Sequence, residues 1–554
     1  MLGGAAAMLS LSLTGCMVGE VEDVGVAAAG GADVPPVFLE QGWNQATRAA
    51  FYQQTQGSRM LPYTWFLHLE EATSRQKFRN ASNMRRMGFL VDEASALNPD
   101  RLPVGFARDS EPGKSDEVGL TCAACHTGEL EYNGTRVRID GGQGLGDLEQ
   151  LQNGILAALN ATLADGAKFD RFAAAIRASD KTALRAQMQT ERDWWSRRVT
   201  RSKGLTPHGP SRVDAFTVIG NEVVCDMFGI PENCAPGIAP TQFPFLWGTP
   251  DFEWAQYNSS VHSPLGRNVG EVTGVFAEAR VTANGVESSA DLEGLHALET
   301  MLKDLRAPAW PAEILGTIDP ALAAQGETLY AQNCASCHPT SAPTVTNMYG
   351  RTMTKVDFST PLFNPTTGAP ILGTDRTAAL TFATRRAYPG PFAGIEPVKT
   401  MLTTSPDGKV PAVVLLSISG SSIIQRFFAL NQITGLAALG YLDYRESRTA
   451  TNAQLVTYKA RPLDGVAFTA PYLHNGSVPS MYELLLPPAQ RTTSFYVGNP
   501  AFDPVDLGYS TERITGAVLL DTTAVGNGNG GHVYGTTLSD PERYALIEYI
   551  KTLD

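Results

Sequence analysis

The chain has 554 residues, 43% hydrophobic and 18% charged, with a formal net charge of −13 at neutral pH. That length exceeds one ordinary core and predicts two main domains. The negative balance excludes nucleic acid and an anionic membrane surface as partners, because phosphates are repelled rather than neutralised.

The opening stretch "MLGGAAAMLSLSLTGC" is apolar and rich in small residues, too short to span a bilayer but long enough for a signal-peptide core. It ends in Leu13-Thr14-Gly15-Cys16, which resembles the lipobox of bacterial lipoproteins. Residues 1–16 are therefore expected to be a lipoprotein signal with Cys16 lipidated, the alternative being an ordinary cleaved signal. Residues 17–35 are small, acidic and rich in Gly and Ala, and read as a flexible tether. No other apolar run reads as long enough to be a transmembrane helix, so membrane attachment is expected through the lipid alone. The expected location is outside the cytoplasm, at the periplasmic face or cell surface, as an outer-membrane lipoprotein.

Past the tether, "LPYTWFLHLEEATS" and "NMRRMGFL" read as aromatic-bearing helical segments. They precede "TCAACHTGELEY", Thr121 to Tyr132, where two cysteines stand two residues apart with a histidine directly after the second. The pattern returns as "NCASCHPT" at Asn333 to Thr340. A C-x-x-C-H run is the attachment site of c-type haem: the thiols add to the porphyrin vinyl groups and the histidine reaches the iron. A thioredoxin-like dithiol does not require the histidine, and a zinc site needs a fourth ligand at short spacing. The recurrence predicts two covalently bound c-type haems, one on Cys122, Cys125 and His126, the other on Cys334, Cys337 and His338.

Beyond the first motif, "LEQLQNGILAALNATLADGAKFDRFAAAIRA" places apolar residues at helical spacing. Of the seven cysteines, four are assigned to haem and one to lipid, which leaves Cys225 and Cys234. In an exported protein that pair reads as a disulfide, with two buried thiols as the alternative. A second unit opens near Asp319 with "DPALAAQGETLYAQNCASCH", similar to the first helix of cytochrome c domains. "LSDPERYALIEYIKTLD" is similar to the terminal helix that crosses it. The expected fold is mainly α, with two cytochrome c-like haem domains, at 36–315 and 316–554, joined by long loops and little β-sheet.

The two haem motifs, "FPFLWGTPDFEWAQYNSS", "LGRNVGEVTGVFAEA" and "KARPLDGVAFTAPYLHNGSVPSMYELL" together resemble the bacterial di-haem cytochrome c peroxidase superfamily. Within it, "LPYTWFLHLE", "CAACHTGELEYNG", "KARPLDG" and "GNGNGGHVYGT" are similar to the branch that contains the rubber oxygenases. The resemblance implies a catalytic haem in the N-terminal unit and an electron-transfer haem in the C-terminal one. It also places Trp254 between the haems as an electron carrier, the alternative being a packed aromatic. Glu271 falls near the superfamily's distal acid, a general base on peroxide, or else is a surface glutamate. Phe276 would wall an apolar distal pocket, or belong to the ordinary core.

Departures from the family pattern sharpen the reading. No histidine stands between His126 and His208, where the peroxidases place a distal one, so the first iron is expected to keep an open position. For the second, His532 in "GNGNGGHVYG" is the candidate sixth ligand, and His474 in "PYLHNGS" is read as an inter-haem or propionate contact; a solvated loop histidine is the alternative for each. His68, His208, His262 and His296 are assigned to no ligand role. Three functions follow: a dioxygenase that adds dioxygen across an apolar alkene, a peroxidase that takes electrons from a small donor protein to reduce hydrogen peroxide, and an electron carrier without substrate chemistry.

Overall fold

The computed structural model describes residues 34–111, 113–355 and 371–554. Cys16, the signal segment and all of the tether but its last two residues lie outside them.

The expectation of a mainly α chain with two cytochrome c-like domains is overturned. The structure is 39% helical and 14% strand, an α/β mix with one small cytochrome-like domain. Among the described residues there are eight sheets, none wider than three strands. One physical reason lies around the first motif. Thr127–Tyr132 and Thr135–Asp140 pair antiparallel along their whole length, joined by Asn133 and Gly134 with φ of +47° and +78°. An Asn-Gly pair in left-handed backbone is the tight hairpin turn that matches strand twist. The strand Glu117–Leu120 ends just before the motif, paired with both Leu61–Pro62 and Phe106–Asp109. The first C-x-x-C-H run is thus a helical turn between two strands.

The second motif has the cytochrome-like setting. Helix Pro320–Asn333 starts on Asp319, whose side chain accepts from the amides of Ala321 and Leu322, and runs directly into Cys334. It packs against the terminal helix Asp540–Ile550 with Gly326 at the contact, where a β-carbon would run into the Ala545 carbonyl.

The hydrophobic cores do not divide near residue 315. One joins Leu39, Trp43 and Phe51 to Tyr330, Leu546 and Ile550. Another joins Val224, Val269 and Leu295 to Leu415 and Ile423 of helix Ala412–Leu430. A third, around Trp195, Phe106 and Leu151, lies beneath the first motif and is built on helices Leu148–Ala164 and Lys181–Ser202.

Helix Ala412–Leu430 also corrects the reading of apolar runs, being long and apolar enough by length and composition to cross a membrane. Its serines, Gln425 and Arg426 break the apolar run in the sequence, and Ala412, Leu415, Ser419 and Ile423 are buried against the rest of the chain.

Candidate functional site

Thr121 caps the turn Cys122–Cys125 by accepting from the amide of Ala123, and its own amide donates to Gly105 O at 2.7 Å. Cysteines at i and i+3 of a helical turn lie on one face. Both thiols face a cavity of about 170 Å³ whose wall also carries His126, Phe243, Arg267, Glu271, Phe276 and Arg461. Burial, reinforced by Glu271, pushes both thiols up to about 12. His126 Nδ1 lies 2.7 Å from the carbonyl oxygen of Pro244, which can only accept, so the ring donates there and Nε2 is the remaining nitrogen. A backbone acceptor on one nitrogen is the usual way a metal-binding imidazole is oriented. Burial lowers its pKa to about 4, which keeps the ring neutral.

Helix Pro264–Gly274 supplies one of the two acids on the cavity wall, Glu271, and helix Leu292–Leu302 the other, Glu299. Glu271 Oε1 accepts from Gln256 Nε2 at 3.0 Å. Burial raises its pKa, against the pull of Arg267 and the Gln256 amide. Arg267 is itself paired with Glu299, both side chains 7% exposed. Phe276 is buried against Trp195 and under the Arg198 guanidinium, with φ of +77°. A non-glycine residue held there stores about 1–3 kcal/mol of strain, a cost concentrated at functional sites. His126 is the single histidine on the cavity wall among the described residues.

Lys459 and Arg461, both on the wall, meet no carboxylate among the described residues; burial lowers the pKa of both, to about 10 for Arg461, which stays a cation, and well below the ordinary lysine value for Lys459. Lys459 Nζ donates to Trp254 O at 2.8 Å, and Arg461 Nη2 donates to Phe245 O at 2.9 Å and Thr249 Oγ1 at 3.3 Å. Arg461 Nε is buried without a hydrogen-bond partner among the described residues. The Arg461 cation and the Lys459 amine, whose hydrogen bonds end on neutral oxygens, suit the carboxylates of a haem, and with the paired thiols and oriented imidazole the donor set fits that group.

At the second motif Cys334 and Cys337 are free thiols. His338 Nδ1 lies 2.6 Å from Arg461 O, again a backbone carbonyl. The His532 ring centre is 6.4 Å from that of His338, and its Nδ1 is buried without a hydrogen-bond partner among the described residues. Its backbone has φ of +55°, and Arg491 holds the loop by donating to the carbonyls of Gly531 at 2.6 Å and His532 at 3.1 Å. His474 is elsewhere, stacked on Tyr458 at 4.1 Å and near Tyr257 at 6.2 Å. Trp254 is buried in a small cluster with Phe252, its ring 5.1 Å from that of His262 and under Arg448. It does not line the cavity. Cys225 and Cys234 are joined as a disulfide with Cα atoms 5.1 Å apart.

Sequence reasoning missed Lys459, Arg461 and Arg491. The first two stand in "KARPLDG", a stretch singled out without a role for its cations; Arg491 in "AQRTTS" carries no local signal.

Residues 457–496, which hold Arg461, His474 and Arg491, match the cytochrome c-like domain of the RoxA-like family. That domain implies c-type haem and a haem-dependent redox function. The chain is 26% identical to the uncharacterized protein y4iM of Sinorhizobium fredii over 59% of its length and 68% of the relative's. To the uncharacterized protein y4iJ of the same organism it is 32% identical, over 93% of each chain. The chain therefore belongs to the family of y4iJ and carries within it a RoxA-like cytochrome c-like domain.

Proposed function

We propose that the protein is an exported oxidoreductase of the di-haem cytochrome c peroxidase superfamily, holding two covalent c-type haems and working as a rubber oxygenase-like dioxygenase on an apolar alkene. Cys16 would carry the lipid that keeps it at the periplasmic face or cell surface. The observation that carries the reading is the cavity at Cys122 and Cys125, with His126 as its single histidine among the described residues and Phe243, Phe276, Lys459 and Arg461 in its wall.

Haem, when bound, supplies an iron able to take dioxygen or peroxide and to exchange electrons. His126 would hold it from one side, with Nδ1 anchored on Pro244. Lys459 and Arg461 would meet its carboxylates. Phe276, with Phe243 and Ile219 on the same wall, excludes water and favours a hydrocarbon. At the second motif His338 and His532, with ring centres 6.4 Å apart, would hold the haem. A haem held there by both imidazoles would supply electron exchange rather than substrate binding.

One feature favours peroxide as a second reading. Glu271 has a raised pKa and an oxygen, Oε2, not committed to Gln256, so it can take a proton inside the cavity.

The test is haem counting followed by spectroscopy of the purified protein, reduced under argon and opened to air, then a screen of alkenes and polyisoprene by mass spectrometry. Two covalent haems, a persistent spectral change at one of them in air and oxygenated cleavage products are expected. Immediate reoxidation of both, with no product from any alkene, would sink the dioxygenase.

A further inference from the structure

Resting on that two-haem reading, we infer that the sites communicate through Arg461: His126, Pro244, Phe245, Arg461 and His338 form one bonded bridge, along which an electron passes between the irons. Every non-covalent link in it is a hydrogen bond. His126 Nδ1 meets Pro244 O at 2.7 Å, Arg461 Nη2 meets Phe245 O at 2.9 Å, and His338 Nδ1 meets Arg461 O at 2.6 Å. Pro244 and Phe245 are joined by a peptide bond, so the imidazole of one motif is linked to that of the other without a gap wider than a hydrogen bond. The Arg461 guanidinium also lies 3.7 Å from the centre of the Phe245 ring, which fixes it on that side.

Trp254, the residue that the family resemblance places between the haems, has the wrong surroundings for this task. Its ring meets His262 and Arg448, and it takes no part in the cavity wall. The exchange is internally balanced. As one iron passes from ferrous to ferric, the other passes from ferric to ferrous, and no outside reactant is consumed. The charge of Arg461 acts on the same pair of sites, because its guanidinium lines the first cavity while its carbonyl orients the second imidazole. A cation beside an iron favours the less positive, reduced form, so Arg461 is a positioning residue that also raises the potential of the first haem.

The holoprotein tests this directly. Covalent haem is counted, an electron is injected by flash photolysis of a flavin donor, and its redistribution between the two haem spectra is timed; potentials come from a redox titration. Arg461→Met is expected to keep both haems, slow the redistribution and lower the potential of the haem on Cys122 and Cys125. Arg461→Lys, which also serves if the first variant does not mature, is expected to restore the potential but not the rate, since lysine keeps the charge and loses the planar fork. The main-chain carbonyl that holds His338 survives in each variant. Trp254→Phe is expected to exchange electrons at the parental rate. Parental rates in both Arg461 variants, or a loss confined to Trp254→Phe, would overturn the inference while leaving two haems in place. A single covalent haem in the parental protein would overturn the two-haem reading, and the inference with it.

Discussion

The imidazoles of His338 and His532 lie 6.4 Å apart, centre to centre, with planes tilted by 49°. They are 194 positions apart in the chain, and the loop that carries His532 is held by Arg491, whose guanidinium ties the carbonyls of Gly531 and His532 to those of Leu484 and Leu486. If the pair closes the second iron, His532→Ala should turn one of the two haems from low spin to high spin. His474→Ala should leave it low spin, because that ring is stacked on Tyr458. Electron paramagnetic resonance of the resting protein separates the two outcomes; a low-spin second haem in His532→Ala would remove His532 as a ligand.

Gly105 has φ of +76° and sits against the motif turn, where a β-carbon would overlap the backbone of Ala124. Backbone cannot swing aside as a side chain can, and L residues adopt that φ rarely. On the proposed two-haem reading, Gly105→Ala is expected to displace Cys122–Cys125 and remove covalent haem at the first motif only, as read by the mass of the tryptic haem peptides. Full haem loading in this variant would show that the turn tolerates the shift.

Glu271 tests the peroxide reading. As a base it acts deprotonated, so the rate of reaction with peroxide should rise with pH through its raised pKa. Glu271→Gln should lower that rate by about 10²–10⁴-fold and flatten the pH profile, the usual worth of a positioned base. Stopped-flow mixing with hydrogen peroxide gives both numbers, and an unchanged rate would rule out the base.

Stability should vary with pH through Glu117. It lies opposite Asp109 in the sheet, and burial, with Glu191 and Glu278 nearby, raises its pKa from 4.5 to about 8. The folded state therefore holds the proton more tightly than the unfolded one. The stability this contributes is complete below pH 4.5 and is lost as pH rises towards 8. Urea unfolding at the two ends of that window should give a difference in the parent that shrinks in Glu117→Gln. Equal slopes with pH in both proteins would contradict it.

The chemistry written in short stretches was legible from the sequence. C-x-x-C-H needs only the geometry of one helical turn to place two thiols and an imidazole together, and the helix before Cys334 was legible from its similarity to the first helix of cytochrome c domains, opening near Asp319, whose side chain caps it. The setting of the first motif was partly legible too: "YNGT", an Asn-Gly turn between alternating residues, marks the hairpin that the mainly α reading passed over.

The cavity was not legible, because its parts come from distant segments. Pro244 is 118 positions from His126, and Arg461 is 123 positions from His338. No local period marks such pairings, since each is set by where strands, loops and helices pack rather than by the residues beside it. The sequence alone determined which atoms can bond a haem covalently. Only the tertiary structure decided that Glu271 and Phe276 share a wall with the first motif, that Trp254 does not, and that one arginine reaches both sites.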